Sequence, residues 1–327
     1  MLMCVTVATA HDFEVDGIFY NIDDTINKTA TVTYKGTYYG EYTNEYTGSV
    51  TIPSSVVYNE NTYSVTSIGK WAFHDCYGLT KIEIPNSITS IEERAFSACI
   101  SLKNVEIPNS VTSIGNWAFY YCYALESIEI PNSVKTIGEC AFYECMALKD
   151  IEIPNSIKRI EGWMFHYCTG LKNVTIPNSV ESIGKKAFTG CSALKNVEIP
   201  NSVTTIEDYV FSYCEALESI TISNKIKHIG AGLFSCCYKL TNIRIPNGVT
   251  SIGYDAFSWC GTLKHVSLPN SLTTIGNEAF RGCIALKSIT IPNNVETIGS
   301  SAFEGCGLES IMIGTYIKEI GNYAFLR

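Results

Sequence analysis

The sequence holds 327 residues, of which 46% are hydrophobic and 17% charged, and it carries a net charge of −9. That balance excludes a nucleic-acid partner, because phosphate binding needs a clustered Lys and Arg footprint and none occurs. A length that would otherwise suggest about two or three domains is taken up by an internal repeat, and one continuous array is the simpler reading.

Residues 1–10, MLMCVTVATA, form a short apolar run ending on Ala-Thr-Ala. This resembles the tail of a secretory signal peptide with its small-residue cleavage site, although the basic start is missing. Export to the cell surface or beyond is therefore expected, with a lipid-anchored Cys4 as the second reading. The run is too short to span a bilayer, and no later stretch reaches the roughly eighteen apolar residues of a transmembrane helix.

Residues 11–47 lack the repeat. FEVDGIFYNI, from Phe13 to Ile22, alternates around Asp16-Gly17, and TVTYKGTYY, from Thr31 to Tyr39, alternates around Lys35-Gly36. Both read as β-hairpins. Together they predict an N-terminal β cap, which a solenoid needs to cover its first apolar cross-section and open strand edge. The solenoid is predicted over 48–327. Its first coil, 48–76, starts with Val50-Thr51-Ile52-Pro53 but reaches the next inward Ile, Ile68, nine residues late, which predicts a hairpin inserted at about 57–65.

From Val65 onward the chain repeats every 23 residues. Cys recurs without a slip from Cys76 and Cys99 to Cys306, Phe always precedes it by three residues, and Leu recurs from Leu79 to Leu286. A fixed period of this length marks a stacked array and falls in the leucine-rich-repeat window. Within Leu102–Ala124 (LKNVEIPNSVTSIGNWAFYYCYA), Leu102, Val105 and Ile107 alternate with polar residues as one face of a strand. Pro108 and Asn109-Ser110 then turn the chain. A second short strand is expected at Val111–Ile114, and Ala118, Phe119 and Cys122 predict one helical or 3₁₀ turn on the far wall. The fold class is thus a mainly β solenoid of 23-residue coils.

The eleven ladder cysteines invite a disulfide or zinc reading, and spacing opposes both. Zinc favours close pairs, and stacked thiols would sit about 4.8 Å apart at strand spacing, wider than the roughly 3.8 Å between Cβ atoms in a disulfide. A row of small buried thiols is expected, with no metal and no cofactor; Cys4, Cys140 and Cys236 receive no role. Near the end, Cys306-Gly307-Leu308 is one residue short, Ser223 and Gly314 replace Pro, and the sequence stops in mid-unit. Either the last coil caps itself or the chain is a fragment.

The unit LxxIxIPNSVTSIGxxAFxxCxx, with the opening FEVDGIFYNI, resembles the BspA-like leucine-rich-repeat family of mainly bacterial surface proteins, over about residues 13–327. The resemblance implies export and, as in some members, adhesion to a host or microbial surface or extracellular protein or to a glycan. It transfers no binding residue, since the shared positions are core positions.

Specificity must lie in the positions that vary. The outward residue of the main strand reads Glu83, Glu106, Glu129 and Glu152, then Thr175 and Glu198. This stripe either meets a basic patch or cation, or is a solvated face that keeps the sheet soluble. A second candidate surface is aromatic: Trp71, Trp117 and Trp163 share one phase with Arg94 between the first two, and Tyr121 and Tyr167 lie in a nearby phase. It either binds protein or glycan or shields the backbone of the wall. No catalytic residue is expected. His74 and His166 alone share a phase, about 19 Å apart, and no nucleophile or phosphate-loop motif is present. The leading function is that of an exported, adhesin-like binding protein, a monomeric array without catalysis. The alternative is a passive scaffold or spacer whose binding segment lies elsewhere.

Overall fold

The computed structural model describes residues 11–327; the signal-like segment 1–10 lies outside the described residues. The chain divides into two compact units, 11–148 and 149–327, each a stack of β-solenoid coils.

In the first unit, β1 (Phe13–Val15) and β2 (Ile18–Asp24) form an antiparallel hairpin with Phe13 opposite Tyr20. Its turn places Asp16 and Gly17 at φ 50° and 78°, the left-handed pair that a two-residue hairpin demands. β3 (Thr29–Thr33) pairs with β2 on one edge, antiparallel, and with β6 (Asn61–Ile68) on the other, parallel. Both edges of β3 are therefore occupied, and the hairpin expected around Lys35-Gly36 does not form. Residues 34–47 instead run as a loop pinned by Tyr46, whose hydroxyl donates to Thr33 O at 3.1 Å and accepts from Phe19 N at 3.2 Å. Beyond it lies β4 (Gly48–Thr51), and β5 (Ser55–Tyr58) folds back on β6 through Asn59 and Glu60, with Tyr58 opposite Asn61.

Thereafter each coil adds one strand to each of two parallel rows. β7 (Leu79–Glu83), β9 (Asn104–Glu106) and β11 (Ser127–Glu129) extend β4, while β8 (Ser90–Ile91), β10 (Ser113–Ile114) and β12 (Thr136–Ile137) extend β6. The cap thus continues the row of short strands, and β1 lies outermost. The second unit repeats both rows, for example Asn196–Glu198 beside Ser219–Thr221 and Ser182–Ile183 beside Thr205–Ile206.

The inward columns fill the core. In the first unit Phe73, Phe96, Phe119 and Phe142 are fully buried and stack face to face at 5.1–5.5 Å. From Phe165 to Phe303 the second unit does the same, and the half-buried Phe325 ends the stack, at spacings of 5.1–5.9 Å. Burying one such ring is worth about 1.5–3 kcal/mol, so the column is a large share of what holds neighbouring coils together.

The cysteines have a second use besides filling space. Cys99 Sγ donates to Phe73 O at 3.1 Å, Cys122 Sγ to Phe96 O at 3.2 Å and Cys214 Sγ to Phe188 O at 3.3 Å. Each thiol thereby ties its coil to the carbonyl of the one before. Burial raises these thiols well above the ordinary range, Cys76 to about 12, so they stay protonated and keep their donor.

The far wall departs from expectation. Its backbone makes i→i−3 bonds, such as Tyr120 N to Trp117 O and Cys122 N to Phe119 O, but Trp117, Phe119 and Tyr121 donate to Glu139, Ala141 and Tyr143 of the next coil. Trp117 and Tyr121 have φ of 54° and 61°, and left-handed residues interrupt a right-handed helix. The predicted helical turn is therefore a chain of turns, and no helix occurs among the described residues; none is long and apolar enough to cross a membrane.

Candidate binding surfaces

The acidic stripe forms in part. In the first unit Glu83, Glu106 and Glu129 are all exposed, on β7, β9 and β11, and the parallel register sets Glu129 directly beside Glu106. They line a shallow concavity with Lys81, Lys103 and Asn109. Lys81 Nζ lies 2.7 Å from Glu83 Oε1, and its hydrogen bond holds the Glu83 carboxyl below the usual range, helped by Thr51. In the second unit Glu152 and Glu198 are exposed but stand beside Thr175 and Thr221, so no two stripe glutamates there are neighbours.

The aromatic residues fall into two arrangements. In the first unit the Arg94 guanidinium lies 4.7 Å from the rings of both Trp71 and Trp117, and Tyr39 stacks on the outer face of Trp71 at 3.7 Å. The result is a column Tyr39–Trp71–Arg94–Trp117. The two indoles are half-buried and spend their faces on one another's partner rather than on solvent. His74 packs edge-on to Trp71 at 4.9 Å, and burial lowers its basicity. Tyr121 is half-buried too, within a cluster that joins Tyr120 at 3.9 Å and Tyr123 at 5.5 Å.

In the second unit an aromatic ring lies over a glycine of the next coil. A Cβ on Gly190 would meet Tyr167 at 2.5 Å and one on Gly282 would meet Trp259 at 2.8 Å; Gly232 stands under Tyr209 in the same way. Tyr167 is 41% and Trp259 52% exposed, whereas Trp163 is half-buried. The sequence carried this signal, since each aromatic is followed 23 residues later by Gly, but the columns had to be known to be stacked for it to be read.

Four further exposed residues belong to the first unit: Tyr77, Ile100, Tyr123 and Met146, at 37–41% exposure. They occupy the position after the ladder Cys in four successive coils. Ile100 and Met146 are not aromatic and so escape a search for aromatic side chains. In the second unit the column turns polar at Thr169, Ser192 and Glu215 and then apolar again at Tyr238 and Ile284, which are 43% and 64% exposed. Among the described residues no group of three His, Cys, Asp or Glu is placed to hold a metal ion.

A model of the BspA type leucine-rich repeat region matches residues 42–172, 164–265 and 250–327. A leucine-rich repeat protein from Bacteroides ovatus is similar at 32% identity and TM-score 0.72, over 97% of this chain and 92% of that one. A leucine-rich cell surface protein from Faecalibacterium prausnitzii is similar at 30% identity and TM-score 0.66, over 96% and 94%. The pneumococcal vaccine antigen PcpA, at 21% identity and TM-score 0.58 over 98% and 86%, shares the fold. No curated protein matches the chain. The chain belongs to the BspA type leucine-rich-repeat family.

Proposed function

We propose that the chain is an exported, surface-displayed binding protein of adhesin type, which recognises an extracellular protein or glycan through the faces of its coils and performs no chemistry. The observation that carries this reading is the division of labour within the repeat. The recurring residues Leu, Ile, Phe and Cys are buried in coil after coil, while the varying columns meet solvent and in the first unit carry exposed Tyr, Ile and Met side chains. Exposed apolar surface gathered in one place marks an interaction site. The cell-surface description of the relative from Faecalibacterium prausnitzii supports the location, and so does the signal-like start of the sequence.

Two surfaces enter this proposal: the acidic stripe of Glu83, Glu106, Glu129, Glu152 and Glu198, and the wall of Trp71, Trp117, Trp163, Tyr121 and Tyr167. The test is saturable binding of the purified chain to immobilised extracellular-matrix proteins and mucin glycans. Reversing charge at Glu106, Glu129 and Glu152, or placing Ala at Trp117 and Trp163, is expected to weaken it. Binding that survives both sets of changes would remove both surfaces from consideration.

A further inference from the structure

We infer that the wall of the first unit is a protein-docking patch in which Arg94 anchors an acidic side chain of an otherwise apolar partner segment. This deepens the binding reading above and rests on it.

Arg94 is unusually placed for an arginine. Both faces of its guanidinium are covered by Trp71 and Trp117, and its Nε is buried without a hydrogen-bond partner among the described residues. No carboxylate of the described residues forms an ion pair with it, in a chain that carries nine more negative than positive charges. The two indoles hold the guanidinium between them. A planar, pre-oriented fork of this kind is matched by a carboxylate that accepts two parallel hydrogen bonds.

The surroundings decide what carries that carboxylate. On this wall Lys70 is paired with Glu93 at 3.7 Å and His74 is weakly basic beside Asp75, so Arg94 is the strong cation left without a carboxylate partner among the described residues, with Glu139 and Glu144 two coils further on. Trp71 touches His74 at the Arg94 column, and Tyr120, Tyr121 and Tyr123 touch one another in turn, so aromatic side chains lie on the same wall both at the Arg94 column and beside the exposed Tyr77–Ile100–Tyr123–Met146 column. Trp, Tyr, Arg and Met around a water-poor centre is the composition of protein–protein hot spots. Exposed Ile100 and Met146 offer nothing to a sugar hydroxyl, and the indole faces that would stack on a sugar ring are already taken. A protein segment with one Asp or Glu among apolar residues fits all of these features.

The test is selection of a random dodecapeptide display library on the immobilised chain, followed by fluorescence-polarisation titration of the selected peptides. Selected peptides are expected to carry Asp or Glu flanked by aromatic or aliphatic residues. Arg94→Gln is expected to weaken them at least about tenfold, as loss of one partner of a desolvated charge pair does. Arg94→Lys is expected to fall between. Because Arg94→Gln also loosens the Trp stack, Met146→Asp serves as the second variant: it lies outside the stack and is expected to weaken the same peptides while leaving the melting temperature unchanged. Selection of basic peptides, or affinities that neither variant alters, overturns the inference. If matrix binding is lost on charge reversal of Glu106 and Glu129 but not in Arg94→Gln, the binding function stands and the Arg94 patch falls.

Discussion

In residues 11–148 the left-handed positions of the wall hold Trp71, Arg94 and Trp117, which stack on one another. In residues 149–327 that column pairs Tyr209 with Gly232 of the next coil, and the second left-handed column, that of Tyr121, pairs Tyr167 with Gly190 and Trp259 with Gly282. The backbone problem is the same in both. Each coil needs two residues with φ near 55–60°, a conformation that costs side-chain-bearing residues about 1–2 kcal/mol. The first unit offsets the cost with an unbroken Trp–Arg–Trp stack, the second with covered glycine beside the looser cation–π contacts of Lys186 with Tyr209 and Arg281 with Trp259. The core beneath is common to both, so the units differ in their surface and not in their architecture.

If that is correct, core substitutions must cost the same on either side. Phe119→Ala and Phe211→Ala each remove a fully buried, stacked ring and are expected to destabilise by about 3–5 kcal/mol in urea titration. A difference between them larger than about 1 kcal/mol would mean that the cores differ as well.

Next in size is a pH effect, largest at a buried histidine of the second unit. Burial lowers the His166 pKa from 6.5 to about 4. The unfolded chain therefore takes up this proton first. Stability is fully present above pH 6.5, falls as pH drops toward 4 and levels off below it; the linkage is worth up to about 3 kcal/mol. Midpoints of urea unfolding at pH 7 and pH 4.5 should differ by less in His166→Gln than in the parent chain. An identical difference would show that other groups carry the acid sensitivity.

The wall itself supplies the middle of the range. Gly282→Ala puts a Cβ at φ 72° and 2.8 Å from the Trp259 ring, which must move; a loss of about 1–3 kcal/mol is expected, with a shift in indole emission as Trp259 leaves its seat. In the first unit Arg94→Ala removes two cation–π contacts, worth about 1–2 kcal/mol together. Should Arg94→Ala instead cost nothing, the stack would be decoration and the proposed contrast between the units would fail.

The coil was legible because its signal is periodic. Phe119 and Cys122 recur at one spacing, and only stacking explains a spacing so strict. What the period could not convey was backbone conformation. Trp117 and Tyr121 look like ordinary wall residues in sequence, yet their positive φ turns the expected 3₁₀ turn into bends whose alternate amides reach the next coil. The Lys35-Gly36 hairpin failed for a related reason: alternation in Thr31–Tyr39 is local, whereas the loss of both β3 edges to β2 and β6 is not. For the candidate surfaces, Glu106 and Trp71 could be placed on a face by phase alone. That the indoles are sandwiching a guanidinium, and that Ile100 and Met146 extend the patch, required lateral neighbours that a single column does not show.

The smallest expected effect is on the acidic stripe, where it separates the units most cleanly. Glu106 stands beside Glu129, and like charges on adjacent strands repel, whereas Glu198 stands beside Thr221. Glu106→Gln is therefore expected to raise the melting temperature slightly, by less than about 0.5 kcal/mol of stability, and Glu198→Gln to leave it unchanged. The gain should vanish at about 1 M salt, where the screening length falls to roughly 3 Å. A gain that persists there would come from strand packing and not from charge.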